Sequence, residues 1–407
     1  MATTTTLRGG ALMWPTTCFW GACGVFTLDM AYNRFERWFS GWVYVSVLMN
    51  IANTPWSVCV LDGWCDDHLS TMYRRLYTRL VASTCLVSRA IIVYKACRHL
   101  TGFGDRELEY ERSWPISGPR RRQYRIYASS VVIGYILLVL PVNLARLYLM
   151  HRSEEFDDAK LLLFYFFNMY TQNWSMCCME THFAILCFGV YLKFRAINDE
   201  LSAVRSDVMV SNRYPMALRS SSTAAAAAAA SVLQDPRGRP MEAAVEELGV
   251  RHRLTRESVE QLNNMFGGQL ALSLIALCVM MLFDIYNEAF RMVSTNFRSK
   301  FIFGWILQYL FRFFVIVITA HSTTQEGYKT KVLVTEINNR HLNNSTKYEL
   351  QLFLKQMNHQ SIDITACDCF TLNGHLIASA IAVGTTYLFV LIQFHSEIMQ
   401  FTEHQKS

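Results

Sequence analysis

The stretch TTYLFVLIQF, from Thr385 to Phe394, lies close to the C-terminal end of the chain and decides how the rest is interpreted. It closes a long apolar run, yet it contains Tyr387 and Gln393, which can form hydrogen bonds. About 20 apolar residues are enough to cross a bilayer as a helix. Polar side chains inside such a helix are costly in lipid, so they are expected to face a cavity or a neighbouring helix.

Composition places the whole chain in the membrane class. Of its 407 residues, 52% are apolar and 17% are charged, whereas soluble domains average about 25% charged residues. The cysteines are scattered and are interpreted as small buried side chains, with Cys367-Asp368-Cys369 a weak metal signal. Phosphate-loop, zinc and catalytic-triad patterns are all missing from the sequence, which therefore predicts neither an enzyme nor a cofactor.

Seven apolar stretches predict an all-α, polytopic membrane protein with seven transmembrane helices. The second stretch is the weakest, because of Arg79 and Arg89, and the fourth is longer than a bilayer needs. The seven stretches are Phe39–Leu61, Leu80–Ala96, Ala128–Leu149, Leu161–Lys193, Gly267–Val293, Phe301–Ala320 and Cys369–His395.

Basic residues predict the orientation of these spans. Lys and Arg are concentrated in the segments that share a side with the N-terminus, whereas acidic stretches such as LDGWCDDHLS and SEEFDDAK fall on the other side. The N-terminus is therefore predicted to be cytosolic and the C-terminus extracellular, the reverse of a G-protein-coupled receptor. Two overlapping glycosylation acceptors, at Asn343 and Asn344, would then stay in the cytosol. Arg120-Arg121-Arg122 is interpreted as a topology anchor, with contact to anionic lipid as the alternative.

The spans divide the chain into seven segments. Within the linkers, RAINDELSAVRSDVMV, LTRESVEQLNNMFGGQ and KYELQLFLKQMNH have helical periodicity, which predicts a cytosolic helical layer that anchors the membrane domain. Between the first two lies a Ser/Ala-rich insert that cannot bury a core. The segments are a cytosolic N-terminal segment (1–38), transmembrane helices 1–4 (39–193), a cytosolic linker (194–266), transmembrane helices 5–6 (267–320), a cytosolic helical linker (321–368), transmembrane helix 7 (369–395) and an extracellular tail (396–407).

The last span carries a short signature in this context. Thr386-Tyr387, five apolar residues and then Gln393-Phe394 resemble the end of the last span in the insect gustatory receptor family. The resemblance extends, more loosely, over the order of spans and linkers. It implies a ligand-gated, non-selective cation channel that assembles as a homotetramer or a heterotetramer, with the last helix of each subunit lining a central pore.

The resemblance also implies roles for particular residues of the last span. Four copies of Gln393 would form a polar ring, and four Phe394 side chains would close the pore by dewetting. Val390 lies one turn before them on the same helix face, and Glu397 lies one turn after, where a ring of carboxylates would favour cations. Thr386 and Tyr387 lie further inward, where Tyr387 would hold the helix against a neighbour.

Polar and aromatic residues in the outer halves of spans three to six predict a pocket for a small-molecule ligand. Asp284 and Arg312 are expected at similar depths and are predicted to form a buried ion pair. The candidate pocket residues are Asn143, Arg146, Tyr165, Gln172, Trp174, Asp284, Tyr286, Asn287, Trp305, Gln308, Tyr309 and Arg312.

Several alternatives remain at this point. A receptor signalling through a G protein is opposed by the charge distribution, and a transporter by the lack of internal repeats. Within the resembled family, Leu388 stands where the sugar-receptor branch carries an acidic residue, which favours a bitter or aversive tastant over a sugar. Odorant, fructose-type and thermal stimuli stay open. Membrane lipid and other gustatory receptors are the expected partners, nucleic acid is not, and the plasma membrane of sensory neurons is the expected location.

Overall fold

The architecture comes from a computed structural model, which describes residues 109–152, 159–213, 240–291, 299–337, 342–359 and 361–406, with a few residues between 48 and 107. Six helices and one small hairpin account for most of these ranges. They are α1 (Gly118–Arg152), α2 (Ala159–Arg213), α3 (Met241–Arg291), α4 (Ser299–Glu336), α5 (Asn344–His359), the strands β1 (Thr365–Ala366) and β2 (Phe370–Thr371), and α6 (Gly374–Lys406).

Five of these helices contain stretches that are long and apolar enough to cross a membrane, which confirms the predicted class. The stretches overlap the predicted spans three to seven, whereas most residues of spans one and two lie outside the described part of the chain. Their bounds are Gly118–Ala145, Met176–Met209, Met241–Tyr286, Phe303–Glu336 and Gly374–Phe394.

Helices α2 and α3 are much longer than a bilayer is thick. With 55 and 51 residues and a rise of 1.5 Å per residue they extend over about 80 Å and 75 Å, against a hydrocarbon thickness of about 30 Å. Each must therefore continue well beyond the membrane. The periodic linker sequences next to spans four and five are confirmed as helical, since they lie in the last part of α2 and in the first half of α3.

Two clusters of buried side chains follow from this extension. The first, which we call the membrane core, joins the apolar parts of α2, α3 and α4 through side chains such as Phe183, Phe266 and Ile316. The second, which we call the distal core, lies among the extended helix ends and α5, where Leu201, Phe353 and their neighbours are buried. The distal core gives α5 its partner, because its apolar face packs against α3 and α4.

Ion pairs connect the helices that surround the distal core. Arg251 on α3 binds Glu200 on α2 at 2.7 Å, and Arg205 on α2 binds Glu336 on α4 at 2.6 Å. Arg251 is buried, whereas the Arg205–Glu336 pair is half-exposed, and exposed pairs contribute only about 0–1 kcal/mol each. Together the two pairs link α2 to α3 and to α4.

The hairpin between α5 and α6 packs closely on α3. A Cβ atom added at Gly267 would lie 3.0 Å from the Cys367 backbone nitrogen, and one at Gly268 would lie 3.4 Å from the Cys367 sulfur. The hairpin pairs Thr365 with Thr371 and Ala366 with Phe370 in antiparallel register. The small residues on α3 therefore provide the space that this approach needs.

Helix α6 begins five residues later than the span predicted at Cys369. Residues 370–371 belong to the hairpin, and the Asn373 side chain then accepts a hydrogen bond from the Leu376 backbone N–H at 3.1 Å. This is the geometry of an N-terminal helix cap. The predicted span covered both β2 and the start of α6, because a hydropathy pattern does not detect a tight turn. The helix also continues to Lys406, through the stretch interpreted as a tail.

Candidate ligand site and pore helix

A buried ion pair lies at the centre of the membrane core. Arg312 on α4 and Glu180 on α2 are 1% and 0% exposed. The Arg312 Nε donates to Glu180 Oε2 at 2.8 Å, and its Nη2 donates to Oε1 at 2.7 Å. Two parallel bonds of this kind are the strongest arrangement that a guanidinium and a carboxylate can form. They neutralise two charges that would otherwise be very costly in a low-dielectric interior.

Further polar groups satisfy the remaining oxygen and nitrogen atoms of the pair. The Arg312 Nη1 donates to the Asn173 side-chain oxygen at 3.2 Å, and the Tyr135 hydroxyl donates to Glu180 Oε2 at 3.2 Å. The Ser273 hydroxyl donates to the other carboxylate oxygen. Tyr135, Ser273 and Arg312 come from α1, α3 and α4, so one carboxylate on α2 joins four helices. We call these five residues the Glu180 network.

The partner that the sequence analysis assigned to Arg312 was wrong. A buried ion pair exists, but its acid is Glu180 instead of Asp284. The two acids lie on different helices, and depth alone could not say which one faces Arg312. Glu180 carried a signal of its own that was missed, because it is an ionisable residue inside the fourth predicted span. Asn173 precedes it by seven residues, which is two helical turns and therefore the same face.

Three candidate pocket residues lie within two turns of Arg312 on α4. Gln308 is 1% exposed, one turn before Arg312, and its side-chain oxygen has no hydrogen-bond partner among the described residues. Tyr309 is buried, and Trp305 is partly buried against the membrane core. These residues place an amide, a phenol and an indole on consecutive turns beside the Glu180 network. Such a combination suits a small amphipathic ligand.

The other pocket candidates are distributed over α1, α2 and α3. Tyr286 is buried, while Asn143, Trp174 and Asp284 are partly exposed, and Trp174 packs on the side of α1. The structure thus brings Arg312, Gln308 and Tyr309 into the same region, next to the network that includes Asn173. Arg146, Tyr165, Gln172 and Asn287 lie on helices, but their side chains are outside the described residues.

A cavity of about 190 Å³ lies elsewhere, between the segment before α1 and the first half of α3. Its lining includes Trp114, whose indole N–H donates to Glu247 at 2.6 Å. Gln261, also in the lining, precedes Ser273 by twelve residues, which is about 18 Å along α3. This cavity is therefore separate from the predicted pocket. Within the described part of the chain, His, Cys, Asp and Glu side chains form no group that could hold a metal ion.

Helix α6 differs from the other helices in its exposure. None of the residues in its apolar window is buried within the chain. Thr386, Tyr387, Val390, Gln393 and Phe394 are all exposed, Tyr387 and Phe394 each by 60%. The Thr386 hydroxyl donates to the Ala382 carbonyl at 2.9 Å, so its hydrogen is used within the helix. Glu397 lies on α6, but its side chain is outside the described residues.

A comparison with protein families identifies the family of this chain. Residues 22–398 match the family described as 7tm Chemosensory receptor. The chain belongs to this chemosensory receptor family. It is accordingly a multi-pass membrane protein of a receptor family, and not a member of an enzyme family. A comparison with curated proteins found no match.

Solved structures support the fold of this chemosensory receptor. It is similar to the insect olfactory receptor OR5 from Machilis hrabei, with a TM-score of 0.62 and 12% identity, over 89% of this chain and 90% of that one. The same receptor in complex with eugenol matches with a TM-score of 0.63 and 13% identity, over 94% and 97% of the two chains. At this identity the likeness shows a common fold, while the family match confirms the resemblance to a chemosensory receptor family.

Proposed function

We propose that this chemosensory receptor is a gustatory, ligand-gated, non-selective cation channel. The observation that carries the proposal is the exposure of α6. No residue in the apolar window of this helix is buried by the rest of the chain. Lipid can cover one side of such a helix. Gln393 and its neighbours on another side are better accommodated by further copies of α6 around a water-filled path.

The proposed assembly is a tetramer in which α6 lines the pore. Val390, Gln393 and Phe394 would face the axis, with Glu397 at the outer mouth, and Thr386 and Tyr387 would lie deeper. The N-terminus would be cytosolic and the C-terminus extracellular, and the distal core would form a cytosolic anchor layer. The plasma membrane of a sensory neuron is the proposed location.

The proposed ligand is a small bitter or aversive compound that binds between α1, α2, α3 and α4. Gln308 and Tyr309 supply hydrogen-bonding groups there, and Arg312 with Asn173 forms one wall. This wall belongs to the Glu180 network, which joins the four helices, so a ligand that favours one arrangement of them can shift the whole bundle. An odorant is the second candidate, because the similar solved structures are those of an olfactory receptor, one of them in complex with eugenol.

Recordings from the chain expressed alone test this proposal. Excised outside-out patches from cells without taste machinery would be exposed in turn to bitter compounds, sugars and volatile phenols, with surface delivery measured in parallel. A cation current without soluble cytosol is expected. Silence from chains that have reached the surface, alone and with other gustatory receptors, would contradict the channel. A current restricted to volatile phenols would replace the gustatory assignment with an olfactory one.

A further inference from the structure

The hairpin before α6 carries two thiols to which the proposed channel gives no role. Cys367 and Cys369 are both free and both exposed. By contrast, Cys177, Cys178 and Cys187 are buried, and Cys278 is half-buried. Exposure decides which thiols a dissolved oxidant can reach. Among the described cysteines, the hairpin pair therefore stands apart in accessibility as well as in spacing.

The turn that holds these thiols has an unusual backbone. The Cys369 N–H donates to the Ala366 carbonyl at 3.1 Å, and the two residues between them, Cys367 and Asp368, have φ angles of 54° and 56°. Turns of this type favour Asn-Gly, because two successive residues have positive φ. Here both positions carry ordinary side chains, at a cost in backbone strain. Departures of this kind from local preference are characteristic of functional segments.

The tight turn also brings the two cysteines within bonding reach. Residues two apart on such a turn have Cα atoms about 5–6 Å apart, which is inside the range that disulfides span. Asp368 between them is tied back, since its carboxylate accepts a hydrogen bond from the Thr365 hydroxyl at 2.8 Å. We propose that Cys367 and Cys369 form an oxidisable dithiol, a modification site whose co-substrate is a hydroperoxide.

The proposed reaction balances with these two thiols and one hydroperoxide. The thiolate of one cysteine attacks a peroxide oxygen, the O–O bond breaks, and a sulfenic acid forms while the leaving oxygen takes a proton to become an alcohol or water. The second thiol then attacks the sulfenic sulfur, so that the S–S bond forms and the S–O bond breaks. Its proton leaves with the hydroxide as water. The two thiols supply the two electrons that reduce the hydroperoxide.

Oxidation would change the contact between the hairpin and α3. The Cys367 sulfur lies against Gly268, 3.4 Å from the position that a Cβ would take there. A bond to Cys369 would fix the position of this sulfur relative to the hairpin, and α6 begins soon afterwards at Gly374. The effect of the disulfide on channel gating is the one step that rests on the proposed function. The chemistry at the two sulfurs does not depend on the channel.

Mass spectrometry of the full-length receptor in membranes tests the chemistry directly. The tryptic peptide Gln356–Lys406 contains no cysteine other than Cys367 and Cys369. Hydrogen peroxide is expected to remove two hydrogen atoms from this peptide, and dithiothreitol is expected to restore them. In the variants Cys367→Ser and Cys369→Ser the remaining thiol should instead be trapped as a sulfenic acid by dimedone. Cys177 and Cys178, adjacent but buried, provide the matched internal control and should stay reduced.

Two results would overturn the proposal. One is a peptide that stays reduced at peroxide levels that already oxidise Cys278, and the other is a bond from either cysteine to a different chain. Currents then separate this inference from the proposed function. The disulfide should be lost in both serine variants. If peroxide leaves the ligand-evoked current of the parent unchanged, the modification site stands and its effect on gating is removed.

Discussion

Arg312 holds both carboxylate oxygens of Glu180 with two hydrogen bonds of 2.7 and 2.8 Å. Since neither residue is exposed to solvent, each leaves a buried charge behind when the other is removed. Breaking such a pair costs about 3–5 kcal/mol, whereas replacing both partners by apolar side chains is often far less harmful.

The first prediction follows from this asymmetry. Glu180→Ala and Arg312→Ala are each expected to lower the melting temperature in detergent and the surface level strongly, whereas Glu180→Met with Arg312→Met should recover a large part of both. The exposed pair Arg253–Glu257, at 4.0 Å, offers the control, since Arg253→Gln should change stability by less than about 1 kcal/mol. A double variant as unstable as the sum of the single ones would contradict the contact.

A second prediction concerns the close approach of the hairpin to α3. Gly267→Ala should destabilise the protein by about 1–3 kcal/mol, because the new Cβ would meet the backbone of Cys367 at 3.0 Å and the Thr365 carbonyl at 3.4 Å. Gly249→Ala on the same helix is the matched control. Its Cβ would meet Phe353 only at an ordinary 3.7 Å, and alanine favours the helix by up to about 1 kcal/mol. Equal melting temperatures for the two variants would show that the hairpin does not pack as described.

A third prediction tests the pore. Gln393→Ala should change ion selectivity or single-channel conductance, because it removes the polar ring, and Phe394→Ala should raise the resting current, because it widens the closed constriction. Ile381→Ala, three turns or more away on α6 and equally exposed at 60%, serves as the control. If both pore variants reach the surface and conduct like the parent, α6 does not line the pore through these residues.

A fourth prediction tests the orientation. The acceptors Asn343 and Asn344 lie at the start of α5, and Thr346 in the second acceptor is only 5% exposed. We expect no glycan at either position, and no mobility shift on treatment with a glycosidase. A new acceptor introduced after Lys406 should by contrast be glycosylated. Glycan at Asn343 or Asn344 would reverse the proposed topology.

Helix content and membrane class could be predicted from sequence because both depend on local composition. Apolar runs of sufficient length define spans whatever their neighbours are, and the periodic linkers next to spans four and five likewise formed parts of α2 and α3. The start of α6 could not be predicted in this way. It depends on a turn at Cys367, just before the predicted span, and on a cap at Asn373, inside that span.

What the sequence by itself determined about this protein is the set of helices that must cross the membrane and the polar residues that they carry into it. Only the tertiary structure decided which of these residues meet. Arg312 could have faced Asp284 or Glu180 at a compatible depth, and the rotation of α2 against α4 selected Glu180. Rotation is set by the packing of many side chains along two helices. No local pattern contains that information, so the partners of a buried charge emerge only when the bundle is assembled.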